Sequence, residues 1–196
     1  MGGHKIHDQT GLYFHTFTLV GWGDVFSRKD YREIMIENLK FCIREKGLIL
    51  FAYVIMSNHV HLIARTDSEK GLSSIIRDLK KYTSKKIIQA IGQNKQESRK
   101  EWMLNIFDEA GENNKRNTEY QFWKQDNKPV ELNSPKWIHQ KLDYIHLNPV
   151  VAGIVKEPEH YLYSSARNYL EMPGLIDVEI LDFRTSEGDG FVALSS

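Results

Sequence analysis

The run Val54-Ile55-Met56-Ser57-Asn58-His59-Val60-His61-Leu62-Ile63 constrains this chain more than any other stretch. Its second half alternates polar and apolar residues, the mark of a strand buried on one face. Side chains on a strand alternate with a period of two, so the imidazoles of His59 and His61 leave the same face while Val60 and Leu62 enter the core. That is the geometry of a two-histidine metal half-site. Two imidazoles leave several coordination positions open, which a metal needs if it is to touch substrate. The plain alternative is a pair of partly exposed strand histidines.

A second informative stretch is Asp143-Tyr144-Ile145-His146-Leu147-Asn148-Pro149-Val150. Ser134 followed by Pro135 starts a helix, with a side-chain oxygen at the N-cap and a proline where its missing N–H costs nothing. Pro149 is expected to end it, because the residue before a proline is pushed out of the α region. Ile138, Leu142 and Ile145 form the stripe that faces a core. Beside it runs a second stripe of Trp137, Lys141, Tyr144 and Asn148. Tyr144 and Asn148 are four residues apart, so a phenol and a carboxamide point to one place.

Along the chain, residues 13–20 read as a strand and residues 29–46 as a helix stopped by Gly47. Residues 48–56 and 59–65 read as an antiparallel pair around Ser57-Asn58, and residues 72–91 as a long helix. On that helix Arg77, Lys81 and Lys85 recur every four residues, with Lys80 beside them: a rail for a DNA backbone or an ordinary solvated face. Residues 93–118 are polar around a short apolar patch from Trp102 to Phe107. Strands and helices thus alternate as β, α, β, β, α, β, α. The fold class is α+β: an antiparallel sheet with helices packed on one face, of ferredoxin-like type. Residues 1–170 read as a single domain containing the 93–118 insertion. Residues 171–196 form an acidic tail, with Ile176, Val178 and Ile180 as an edge strand and the remainder disordered.

Composition bears on function through charge. Lys+Arg and Asp+Glu both number 26, whereas a DNA-binding enzyme is often basic. The tail holds six acids and one base, and the segment from Arg77 to Lys100 holds eight bases against two acids. A local basic surface suffices for phosphate contacts. The single cysteine, Cys42, forbids an internal disulfide and suits a reducing cytoplasm. The chain shows no apolar run of membrane-spanning length and no signal-peptide pattern, which argues against membrane and secreted classes.

Taken together, the motifs resemble the single-tyrosine transposases of the HUH endonuclease superfamily, in the REP-associated branch of the IS200-like transposases. The resemblance rests on Tyr13-Phe14-His15-Thr16-Phe17-Thr18, on Met56-Ser57-Asn58-His59-Val60-His61-Leu62, and on Tyr144 through Val155. It continues into Tyr161-Leu162-Tyr163-Ser164-Ser165-Ala166, where the branch ends in an aromatic residue and two serines. The 93–118 insertion departs from the family, which carries a shorter connection there, and Tyr120-Gln121-Phe122-Trp123-Lys124 resembles the strand that follows it.

The resemblance implies the HUH endonuclease fold and an enzyme that nicks and rejoins single-stranded or hairpin DNA. Tyr144 is implied as the nucleophile, forming a 5'-phosphotyrosine link. His59, His61 and Asn148 are implied as ligands of a divalent ion, Mg2+ or Mn2+. Arg77, Lys80, Lys81, Lys85 and Lys141 are the candidate DNA contacts, and the family works as monomers or homodimers. The chemistry is sound on general grounds. A phosphodiester repels nucleophiles, so a cation on its oxygens stabilises the transition state, and a phenol needs help to lose its proton. A covalent ester stores the energy of the broken bond, so no nucleotide cofactor is required; no Gly-rich phosphate loop is present. Two other classes remain open: a hairpin-binding module whose catalytic set is silent, and a metal-dependent phosphodiesterase that uses water without a covalent intermediate.

Overall fold

The computed structural model describes residues 6–114, 120–125 and 128–181. Strand β1 (Tyr13–Thr18) carries large apolar residues at 13, 14 and 17, and the chain then turns through two short 3-10 segments into helix α1 (Lys29–Lys46). Tyr31, Met35, Leu39 and Cys42 of α1 recur on one buried side. Gly47 ends the helix at φ 74°, a left-handed conformation that glycine adopts without steric cost. Strands β2 (Leu48–Ile55) and β3 (His59–Thr66) follow as a hairpin closed by Met56 N–H donating to the His59 carbonyl at 2.9 Å. Helix α2 (Leu72–Gln93) buries Leu72, Ile75, Ile76, Leu79, Thr83, Ile87 and Ile91.

The sheet has the order β2-β3-β1-β4, with β4 (Val130–Glu131) a two-residue strand on the far side of β1. β3 is antiparallel to both β1 and β2, which places β1 and β2 parallel on either side of it. This is the split βαβ arrangement expected of the ferredoxin-like class. Opposite β3, Thr16 pairs with His61 and Thr18 with His59, so Phe14, Thr16, Thr18, His59 and His61 share one face. Phe17 leaves the other face, where Lys80 of α2 lies over its ring at 5.5 Å. Helix α1 packs on α2, while α4 (Pro135–Val151) crosses the histidine face, its contacts falling on β2 and β3.

Three boundaries differ from the sequence reading. Pro149 does not end α4, which continues to Val151. The proline sits in the last turn, where only one ladder bond is lost. Beyond it Ala152 N–H bonds the Asn148 carbonyl at 3.0 Å and Ile154 N–H bonds the Pro149 carbonyl at 2.9 Å. Residues 120–124 do not form a strand. They meet the end of β1 and the residues after it through an isolated Leu19–Trp123 bridge, with Lys124 N–H donating to the Thr18 carbonyl at 2.8 Å and Val20 N–H to the Phe122 carbonyl at 3.0 Å. Phe122 and Trp123 are buried, and the indole N–H is directed at the Lys80 carbonyl and the Thr83 hydroxyl. The pairing edge of β1 is taken instead by Val130–Glu131. In the tail, Ile176, Val178 and Ile180 do not form an edge strand, yet Ile176 and Leu181 are buried and Glu179 N–H bonds the Leu50 carbonyl at 2.9 Å. The expected disorder of the tail falls mostly on residues 182–196, which lie outside the described residues.

The 93–118 insertion contains helix α3 (Lys100–Glu112), anchored by Met103 and Phe107 one turn apart. Its residues 115–118 are not among those described.

Candidate active site

Helix α4 forms because Ser134 caps it, accepting from Trp137 N–H, and because Ile138, Leu142 and Ile145 bury one side against the sheet. The stripe beside them, Trp137, Lys141, Tyr144 and Asn148, overlooks the histidine face. The ring centroid of Tyr144 is 5.0 Å from that of His61 and 6.0 Å from that of Phe14, in edge-on contact with both. Phe14 stacks on His61 at 5.2 Å, and His59 lies 4.8 Å from His61. Asn148, one turn beyond Tyr144, is within hydrogen-bonding reach of His59. Lys141 holds its ammonium 4.8 Å from the centre of Phe14 and 5.6 Å from the centre of Tyr144.

The two imidazoles are prepared in the same way. His59 Nδ1 meets Asn58 Oδ1 at 2.7 Å, and His61 Nδ1 meets Thr16 Oγ1 at 3.0 Å. An oxygen on Nδ1 orients the ring and leaves Nε2 to serve as ligand, the usual outer-shell arrangement of metal-binding histidines. His61 Nε2 is buried and has no hydrogen-bond partner. An orphaned buried nitrogen of this kind calls for a ligand. Burial holds both rings below their ordinary pKa, His61 at about 3 with help from the neighbouring His59 and Lys141 charges, whereas Asn148 partly offsets the effect on His59. Both are therefore neutral at physiological pH, the state a metal requires. Two neutral imidazoles and one carboxamide oxygen fit a divalent ion with open positions. Among the described residues no cluster of three or more His, Cys, Asp or Glu side chains could hold a metal, so any ion here depends on the histidine pair and on Asn148.

The back of α4 is fixed as firmly as its front is open. His146, about 200 degrees around the helix from Tyr144, points away from the site. Its Nε2 meets Ser165 Oγ at 2.9 Å. Ser165 in turn accepts from Tyr53 N–H of β2 at 3.0 Å, while Ser164 bridges Val54 and Ile55 N–H bonds the Tyr163 carbonyl at 2.9 Å. The Tyr163-Ser164-Ser165 motif thus covers the free edge of β2 and ties it to α4.

Of the candidate residues, the structure brings together His59, His61, Asn148, Tyr144 and Lys141. It sets the others apart. Lys80 is turned under the opposite face of the sheet, where burial lowers its pKa to about 8 and its ammonium reaches the Lys124 carbonyl at 3.4 Å. Arg77, Lys81 and Lys85 are exposed on α2, also on that side. Three contributors escaped the sequence reading. Phe14 and Thr16 are legible only from the cross-strand register, while Asn58 is signalled by an amide directly before the first histidine.

A model of the family described as "Transposase IS200 like" matches residues 10–125, more than half of the chain. The matched stretch includes both histidines and ends before α4. Among solved structures the chain is similar to one described as "Structure of the REP associates tyrosine transposase bound to a REP hairpin". The two share 17% sequence identity and a TM-score of 0.57, over 96% of this chain and 99% of that one, a likeness of fold. No curated protein matches the sequence.

Proposed function

This chain belongs to the IS200-like transposase family, and from that premise we propose that it nicks and rejoins single-stranded hairpin DNA with Tyr144 as nucleophile. The observation that carries this reading is the placement of the Tyr144 ring 5.0 Å from His61, on the one face that also holds His59 and Asn148. The phenolic oxygen attacks the scissile phosphorus, a phosphorus–oxygen bond breaks, and the departing 3'-oxygen takes up a proton. The products are a 5'-phosphotyrosine ester and a free 3'-hydroxyl. Attack by a 3'-hydroxyl on that ester regenerates Tyr144 and a phosphodiester, so no bond energy is lost and no nucleotide cofactor is needed.

His59 Nε2, His61 Nε2 and the Asn148 amide oxygen would hold the divalent ion, Mg2+ or Mn2+. With no carboxylate in that set, the ion would present its full charge to the phosphate oxygens and ease loss of the phenol proton. Lys141 adds a fixed positive charge beside the tyrosine. Phe14, stacked on His61 and edge-on to Tyr144, keeps water from one side of the site. Arg77, Lys81 and Lys85 serve the DNA backbone farther along, on the other side of the sheet, whereas Lys80 is held beneath the sheet against Phe17 and the Lys124 carbonyl. The enzyme would act in the cytoplasm, as a monomer or a homodimer.

Labelled hairpin DNA from the repeats flanking the gene, incubated with Mn2+ or EDTA and run on a denaturing gel, tests the reading. A retarded, SDS-resistant band that needs the metal and vanishes in Tyr144→Phe is the expected result. Cleavage without that band would point to a phosphodiesterase using water, and binding without cleavage to a silent hairpin-binding module.

A further inference from the structure

Trp137 stands on the same stripe of α4 as the nucleophile and has no part in the chemistry. Seven residues, or about two helical turns and 10 Å along the axis, separate it from Tyr144, and the two lie within about 20 degrees of each other around the helix. Trp137 is 48% exposed, whereas Ile138, its neighbour in sequence, is fully buried. The helix therefore turns a tryptophan outward next to an ordinary core position. Two lysines flank it: Lys141 lies between Trp137 and Tyr144 and Lys136 is exposed beside it, against one acid on the helix, Asp143, which lies off the stripe.

Resting on the reading above, we infer that Trp137 is a stacking platform for an unpaired nucleobase of the strand that runs from the scissile phosphate toward the N-terminal end of α4. A strand whose phosphate is held at Tyr144 and whose backbone passes Lys141 carries its next bases over the indole. An indole face takes any base, so the subsite fixes how far the single strand extends from the cut without reading its sequence. Trp137 is thus a binding residue for the flank, distinct from the hairpin itself.

The test uses the full chain and two probes: a hairpin with a short oligo(dT) single-stranded flank, and the same hairpin made blunt. Affinities are measured by anisotropy for the wild type, Trp137→Ala and Trp137→Phe, with circular dichroism confirming that each variant is folded. Trp137→Ala should weaken binding of the flanked probe by about 5- to 150-fold, leave the blunt probe unchanged, and be largely rescued by Trp137→Phe. Equal loss on both probes, or no loss on the flanked one, overturns the inference. If Trp137→Ala binds the flanked probe like the wild type while the wild type still forms the Tyr144 adduct, only this inference falls. A wild type that binds neither probe overturns both.

Discussion

His61 meets the demands on a metal ligand through its neighbours on two strands. Thr16 holds Nδ1, Phe14 covers the ring, and burial keeps it neutral, which leaves a buried Nε2 without a partner. Thr16→Val should lower Mn2+ affinity by about 10- to 100-fold, measured by electron paramagnetic resonance titration, with little change in melting temperature. Imidazole ligands also favour Mn2+ over the harder Mg2+, so Mn2+ should saturate the site at the lower concentration. A second residue-scale consequence concerns acid. His15 and His146 are buried away from the site with pKa values pushed down to about 3 and about 4, against about 6.5 in an unfolded chain. The unfolded chain then binds more protons, so stability is complete above pH of about 6.5 and falls as pH drops toward the folded values. Each such histidine adds a slope of about 1.4 kcal/mol per pH unit, and His15→Gln should flatten the acid limb of a urea-denaturation series. At this scale the pattern His-Val-His was legible because a strand has a period of two. Thr16 was not, because a cross-strand partner 45 residues away leaves no mark in the local sequence.

At the scale of elements, α4 decides where Tyr144, the proposed nucleophile, sits, and it is held from behind by His146 and Ser165. Ser165→Ala leaves the Tyr53 N–H and His146 Nε2 without this partner in a buried setting. It should cost about 1–3 kcal/mol of stability by denaturant unfolding, and lower the single-turnover cleavage rate more than it lowers DNA affinity. A cleavage rate unchanged at constant stability would show that the contact does not position Tyr144. The start of α4 was legible from Ser134-Pro135 because capping is local chemistry. Its end was misread: Pro149 is tolerated in a last turn whose following N–H groups find carbonyls. Helix α3 was missed as an element, although Met103 and Phe107 have helical spacing, because a single apolar turn within a polar stretch carries little periodic signal. Residues 120–124 have strand-like composition, but the indole N–H of Trp123 is satisfied by α2, and burial there outweighs pairing.

For the whole molecule, the sheet is a partition. One face carries the histidines under α4, and the other carries α2 with its exposed basic stripe of Arg77, Lys81 and Lys85. Removing those three charges together should reduce the salt dependence of single-strand binding, the slope of log K against log salt, by about 2 if they follow the DNA backbone. A slope that does not move would return the stripe to an ordinary solvated face. The order of elements made the ferredoxin-like sheet legible, since β, α, β, β, α, β permits few right-handed arrangements. The packing of the tail was hidden, because Ile176 and Leu181 gain their meaning only from distant β2 and Tyr169. The proposed chemistry requires a covalent bond between Tyr144 and DNA, which mass spectrometry of the peptides from a Mn2+-trapped, nuclease-trimmed complex would detect. A 5'-phosphonucleotide on the peptide containing Tyr144, absent from Tyr144→Phe, is the expected result. The same mass on another residue, or cleaved DNA with every peptide unmodified, would contradict it.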